Sequence, residues 1–334
     1  MKILYYISDH GLGHATRSVA LIREFQKSGI KVLIRNNDAS YFLKKSLPSI
    51  KIISGQTDLI PIMNLDNGAR INYSKTKKNI TNWIKELPKI IEHESSIIKK
   101  EKPDLVISDV SISPIMSAKQ NNVKSIVLSN FIWNETLNMT IKNQFFLKNV
   151  YGKADLIMKL PFGSPITLNN KKNFGLLVRK PTKSKSHIRK ILNIGKNEKL
   201  VTIALGGMSK FSFQSTNNIK ILDLSNYKNK LKKLNFIEGQ NIINASDLVI
   251  CKCGYGFISE CLAYGTKFRY LLDPLHVEAN YIHKSLKKEG LDNNMFTFSE
   301  LKKLKISNDL ISNTKSLKIK SDNIHIKNTI LKLI

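Results

Sequence analysis

His10 and His14 stand in one short loop with Gly11 and Gly13, directly after the β-rich apolar run at residues 2–8 (KILYYIS). An imidazole is the side chain best suited to moving protons near neutral pH, and glycines beside it let the backbone approach a ligand. His14 opens a helical pattern that continues through Val19, Ile22 and Phe25. The positive end of that helix favours the neutral, base-competent ring. Two readings of His14 stand level: a general base, or a capping or structural histidine. The loop lacks the third glycine of a dinucleotide-binding turn and the Gly-Lys-Ser/Thr of a P-loop, so it is not a phosphate cradle.

Phosphate chemistry belongs instead to residues 245–267 (ASDLVICKCGYGFISECLAYGTK). Leu248, Val249, Ile250 and Cys251 form the short apolar run of a doubly covered parallel strand. Gly254 and Gly256 follow as a sharp turn with room for a ligand, and Phe257, Cys261, Leu262 and Tyr264 recur at helical spacing. Free backbone N–H groups at the positive end of a helix bind phosphate. Glu260 lies one turn in, within reach of a sugar hydroxyl beside such a phosphate. The competing reading is a glycine junction kept for packing alone.

The elements around these loops alternate strand and helix. Residues 31–34, 51–54, 105–108 and 125–128 read as strands, the third ending in Asp109. Residues 79–100 read as a long helix that Pro88 kinks, and 113–120 as a short one. Residues 137–151 form an amphipathic helix with Phe145, Phe146 and Leu147 beside Lys142 and Lys148. Packing on the sheet is favoured for it over a membrane-facing role. Pro161, Gly163, Pro165, Pro181 and several lysines mark a linker at 166–186, between a first domain at 1–165 and a second at 187–334. The second domain offers strands at 200–205, 219–222, 234–237 and 267–272, a helix at 280–288 and a lysine-rich helical tail from 301. This alternation implies doubly wound parallel sheets.

Composition narrows the partners. The 334-residue chain carries a net charge of +29, with 47 lysines and seven arginines scattered along it. Base-specific nucleic-acid readers lean on arginine forks and stacking platforms, so no specific nucleic acid is expected. A lysine surface attracts anions: nucleotide phosphates, and an acidic membrane surface or lipid-linked acceptor. Membrane association ranks above nucleic acid, and plain solvated lysine above both. No apolar run reaches membrane-span length and no signal peptide is read, so the expected location is cytoplasmic, peripheral at the inner face of the membrane. Cys251, Cys253 and Cys261 lack zinc spacing and read as reduced, buried small residues.

Four ordered motifs resemble the GT-B glycosyltransferases: residues 8–18 (SDHGLGHATRS), 104–110 (DLVISDV), 129–133 (SNFIW) and 254–265 (GYGFISECLAYG). The match is nearest to the glycosyltransferase-like N-terminal region of L-arabinokinases and their stand-alone relatives. It is more distant to the transferase that adds N-acetylglucosamine to the peptidoglycan lipid precursor. The resemblance implies two Rossmann-like domains facing across a cleft. It implies transfer of a sugar from a nucleotide-diphosphate donor, UDP-linked, to a hydroxyl, with no cofactor and no metal. His14 then takes the base position, with Asp109 orienting it or touching the acceptor. His10, Gly11, Gly13, Arg17 and Asn130 fall on the acceptor side. Gly254, Tyr255, Gly256 and Phe257 take the donor diphosphate, with Gly207 and Ser209 facing them. Glu260 takes the donor ribose, and Glu278 and Asn280 the donor sugar. About forty residues separate Leu205 from Ala245, a shorter unit than in the lipid-precursor transferase, which puts part of the base pocket in doubt. No sugar-kinase domain is present, so arabinokinase activity does not carry over. A non-catalytic sugar-nucleotide or glycan-binding module and a GT-B-type epimerase are the alternatives.

Overall fold

The run KILYYI becomes the strand Lys2–Ile7, in which every residue from Ile3 onward is buried. A parallel strand covered on both faces needs that unbroken apolar character. In the computed structural model, which describes residues 1–55, 57–59, 61–64, 70–206, 212–224 and 238–334, this strand lies inside a seven-stranded parallel sheet. The strands lie side by side in the order Lys51–Ile53, Lys31–Arg35, Lys2–Ile7, Leu105–Asp109, Lys124–Ser129, Leu156–Lys159, Lys171–Asn173. Leu4 and Tyr6 pack with Leu33, Val106, Ile98 and Ala118 on one side of it. Val127 and Ile157 join Ile80, Leu87, Ile115 and Leu147 in a second apolar cluster.

A second sheet runs Ile219–Asp223, Lys199–Ala204, Leu248–Lys252, Phe268–Leu271, Met295–Phe296, again parallel throughout. The expected strand at 234–237 lies outside the described residues. In each sheet the order along the chain reverses once. The reversal falls between Lys2–Ile7 and Leu105–Asp109 in the first and between Lys199–Ala204 and Leu248–Lys252 in the second. Ligands of doubly wound sheets bind outside the strand carboxyl ends at such reversals. The histidine loop follows one of these strands and the Gly254 turn another.

The chain divides into two compact units. The first comprises Met1–Asn64, Ile71–Leu177 and Asp322–Ile334, and Val178–Ser321 makes up nearly all of the second. The boundary therefore falls at Leu177, inside the stretch read as linker, because Lys171–Asn173 adds the seventh strand at the sheet edge. The stretch read as one helical tail is three helices, Phe298–Lys302, Asn308–Asn313 and Asn323–Leu331. The last of them returns to the first unit and packs beside the helix Leu12–Lys27, where Lys327 Nζ donates to Ser28 Oγ at 3.0 Å. Helical periodicity says nothing about which sheet a helix covers. The long helix starts earlier than its apolar pattern, at Tyr73, because the Asn72 side chain accepts from the Lys75 amide at 3.0 Å. It runs through Pro88 to Glu101. Among the described residues no helix is long and apolar enough to cross a membrane.

Candidate active site

Leu12–Lys27 opens with Gly11 as its cap, in a left-handed conformation at φ +78°. The exposed Gly11 and Gly13 set the backbone so that the His14 and Arg17 side chains, one turn apart, both reach Asp109. All three are buried, with Asp109 fully enclosed at the end of its strand. His14 Nδ1 lies 3.1 Å from Asp109 Oδ1. Arg17 grips the same carboxylate with two nitrogens: Nε donates to Oδ2 at 3.1 Å and Nη2 to Oδ1. Its Nη1 donates to Asn130 Oδ1 at 2.7 Å and Nη2 also donates to Ser129 Oγ at 3.1 Å. His14, Arg17, Asp109 and Asn130, four residues expected from the motifs, thus form one bonded group, with Arg17 as its hub.

Three groups crowd Arg17 Nη2, which carries two protons: Asp109 Oδ1, Ser129 Oγ at 3.1 Å and His14 Nδ1 at 2.8 Å. In the tautomer whose Nδ1 carries a proton, His14 donates to Asp109 Oδ1 and Nε2 is left as the acceptor. Burial alone would raise the Asp109 carboxyl, but the Arg17 guanidinium and His14 outweigh it and hold it below its ordinary value.

Local backbone supports this group at some cost. Val110, just after Asp109, sits at φ +70°, a left-handed conformation that a β-branched residue rarely adopts and that costs about 1–3 kcal/mol. The Tyr151 hydroxyl holds it there by donating to Val110 O at 2.6 Å. On the other side, a Cβ on Gly163 would come 1.6 Å from Asn130 O, so only glycine lets that turn close over Asn130. An aromatic wall completes the surroundings: Phe131 meets the His14 ring edge-on at 5.7 Å, Trp133 meets Phe131 at 5.1 Å, and half-buried His10 meets Trp133 at 5.7 Å.

In the second unit the helix Tyr255–Tyr264 begins one residue after Gly254, with no side-chain cap. Gly254 is extended (φ −140°) and a Cβ there would meet nothing within 4 Å, so the turn itself does not require glycine; the space beside it does remain open. Gly256 lies within the first helical turn, where N–H groups lack intrahelical partners, and Phe257 beside it is half-buried. Tyr255 is buried. Glu278 lies in the first turn of the helix Val277–Lys288, and its charge reaches Cys253. Asn280 Nδ2 donates back to Pro274 O at 2.7 Å. Gly207 and Ser209 lie outside the described residues.

Glu260 is only 3% exposed, and Arg179 engages both its oxygens, Nε to Oε1 at 2.8 Å and Nη2 to Oε2 at 3.3 Å. Burial pushes its carboxyl above the ordinary value although Arg179 opposes that. The carboxylate that the resemblance assigns to a ribose is therefore bonded to a guanidinium in this conformation. Neither Arg179 nor Lys252 was singled out from the sequence. The Lys252 ammonium, at the end of its strand, lies where a Cβ on Gly206 would sit 3.5 Å from Nζ. Burial lowers its pKa and Asp273 is its opposing charge; among the described residues its ammonium has no hydrogen-bond partner. Its sequence signal is a lysine at the last position of an otherwise apolar parallel strand.

Comparisons with known proteins agree with this architecture. Residues 1–166 match the model of Glycosyl transferase family 1. The chain is 24% identical to L-arabinokinase of Arabidopsis thaliana over 92% of its own length, but spans only 30% of that protein. It is 25% identical to an uncharacterized glycosyltransferase of Methanosarcina mazei, covering 88% of this chain and 86% of that one. Among solved structures, SnogD from Streptomyces nogalater superposes with a TM-score of 0.60 at 11% identity over 100% and 99% of the two chains. MurG of Acinetobacter baumannii gives 0.54 at 12% over 99% of each, and Arabidopsis thaliana UGT89C1 complexed with UDP gives 0.55 at 11% over 99% and 90%. The chain therefore has the GT-B fold of these solved structures, and its residues 1–166 match Glycosyl transferase family 1.

Proposed function

We propose that this glycosyltransferase moves a sugar from a UDP-linked donor to a hydroxyl acceptor without a metal, with His14 as the base. The observation that carries the reading is the His14–Asp109 pair at the reversal of the first sheet, which leaves Nε2 as the acceptor in the tautomer whose Nδ1 donates to Asp109. Nε2 takes the acceptor's hydroxyl proton as that oxygen bonds to the anomeric carbon. The bond from that carbon to the diphosphate oxygen breaks, and its electron pair leaves with the nucleoside diphosphate. Asp109 steadies the imidazolium that forms. The first-turn amides at Gly256 and Phe257, with the Lys252 ammonium, oppose the charge on the leaving group. Glu278 and Asn280 face the donor sugar, and Glu260 acts through Arg179. Calorimetry with UDP tests the donor half: micromolar to millimolar binding is expected, and no nucleoside diphosphate binding at all removes the basis of the reading.

The same reading takes an anionic bilayer, or an acceptor carried in one, as partner of the first unit, at the cytoplasmic face. Ile141, Phe145 and Phe146 on the helix Ile141–Tyr151 are 76%, 66% and 37% exposed. Lys142 and Lys148 flank them, and Asn143 Nδ2 donates to Thr81 Oγ1 at 3.4 Å, tying this helix to Tyr73–Glu101. Apolar side chains ringed by ammonium groups complement acidic headgroups. Cosedimentation with phosphatidylglycerol vesicles, lost in I141S/F145S and absent with pure phosphatidylcholine, is the expected result. Equal binding to both vesicle types overturns it, and a dimer that the same substitutions dissolve assigns the face to a second copy.

A further inference from the structure

Asp58 lies in a stretch that no motif covers, yet the bonds around it lead to the His14 site. It is only 3% exposed. Its Oδ1 accepts the Trp133 indole N–H at 2.9 Å and the Leu59 amide at 2.8 Å. Among the described residues its buried Oδ2 has no well-aligned hydrogen bond, although the Ser8 hydroxyl is close. Thr57 O next to it accepts the Ser111 and Ser113 hydroxyls, each at 2.8 Å, so the segment is tied to the loop that follows Asp109. Trp133 is fixed from behind as well: its amide donates to the Tyr151 hydroxyl at 3.3 Å. From Trp133 the ring contacts pass to Phe131 and on to His14, with His10 on the near side.

A buried indole N–H needs an acceptor, but any carbonyl or amide oxygen serves. An ionisable acid in that place costs desolvation that a neutral group avoids. The acid is chemically more than the packing requires. We propose that Asp58 is a positioning residue whose protonation state sets how tightly the Trp133–Phe131 wall is held against the His14 ring. When ionised, Asp58 receives charge-assisted bonds from Trp133 and Leu59. When a proton from solvent enters on Oδ2, Oδ1 becomes a weaker acceptor and the wall loosens. The inference rests on the His14 reading for its bearing on catalysis, but the wall itself is measurable without any transfer.

Burial raises the Asp58 carboxyl to about 7, with the Asp109 charge adding and the Ser8, Trp133 and Leu59 donors opposing. The change of state therefore falls near neutrality. Among the described residues, the other titratable or charged groups around the wall are His10, His14, Arg17, Asp109 and Tyr151. Because the folded value lies above the unfolded one near ~4, the folded chain holds a proton that the unfolded chain has released. Stability from this group falls as pH rises through that window and levels off above about 7.

The chain has two tryptophans, so W83F leaves Trp133 as the sole reporter. Its emission is expected to shift with pH around a midpoint of about 7, to become pH-independent when D58N is added, and to keep its shift in W83F/H10Q. An unchanged titration in W83F/D58N, no titration in W83F, or loss of the shift in W83F/H10Q overturns the proposal. W133F gives a second route that keeps the aromatic ring: loss of the indole donor should move the pH dependence of melting to higher pH, and an unmoved profile counts against it. Calorimetry with UDP on the same samples keeps the outcomes apart, since failure to bind nucleotide sinks the transferase reading and leaves this one standing.

Discussion

The two sheet reversals hold opposite kinds of site. At the first, the side chains of His14, Arg17, Asp109 and Asn130 are joined by hydrogen bonds into one buried group. At the second, the helix start has no side-chain cap, the space beside Gly254 is open, and among the described residues the Lys252 ammonium has no hydrogen-bond partner. A base must be held in one tautomer before the substrate arrives, and mutual bonding in a dry setting does that. A diphosphate site must instead leave donors uncommitted, so that the ligand supplies the missing acceptors. The Arg179–Glu260 pair is the exception: a closed ion pair one turn below the open helix start.

This contrast predicts that stability depends on the closed, buried ion pairs far more than on the open helix start. Arg17→Ala leaves Asp109 buried without its main counter-charge and should cost about 3–5 kcal/mol in urea unfolding. Glu260→Ala strands Arg179 in the same way and should fall in the same range, with Glu260→Gln losing less. Lys252→Ala should leave the urea midpoint nearly unchanged and weaken UDP binding roughly tenfold in calorimetry, equivalent to about 1.4 kcal/mol. The reverse pattern, a large stability loss at Lys252 and little at Arg17, breaks the comparison. The smallest effect is in pH. Because Asp109 is held below its ordinary value, its contribution is complete above ~4 and disappears only as pH falls through its folded value. Wild type should lose stability more steeply than D109N in melting scans below that point.

The sequence exposed the open site and half of the closed one, for physical reasons. Strand-to-helix junctions have local signatures, apolar runs ending in glycine or histidine, so His14, Asp109 and the Gly254 turn were legible. Both parallel sheets followed from the alternation of elements. Partnerships across the chain have no such signature. Arg17 was placed beside the acceptor, but nothing local showed that it joins Asp109 and Asn130, 92 and 113 positions away. The Arg179–Glu260 pair, 81 residues apart, was invisible for the same reason. Asp58 belongs to a stretch without periodicity, and its role depends on Trp133, 75 residues on. The return of Asn323–Leu331 to the first unit was hidden because a weakly amphipathic helix fits many surfaces.

The central claim is that the first unit supplies the base and the second the donor site, each by its own residues. His14→Ala tests it most directly, with turnover of a UDP-sugar measured on protein whose UDP affinity is known from calorimetry. The account predicts unchanged UDP affinity with turnover reduced by about 10²–10⁴-fold. Turnover at the wild-type rate, in protein that binds UDP normally, would contradict it.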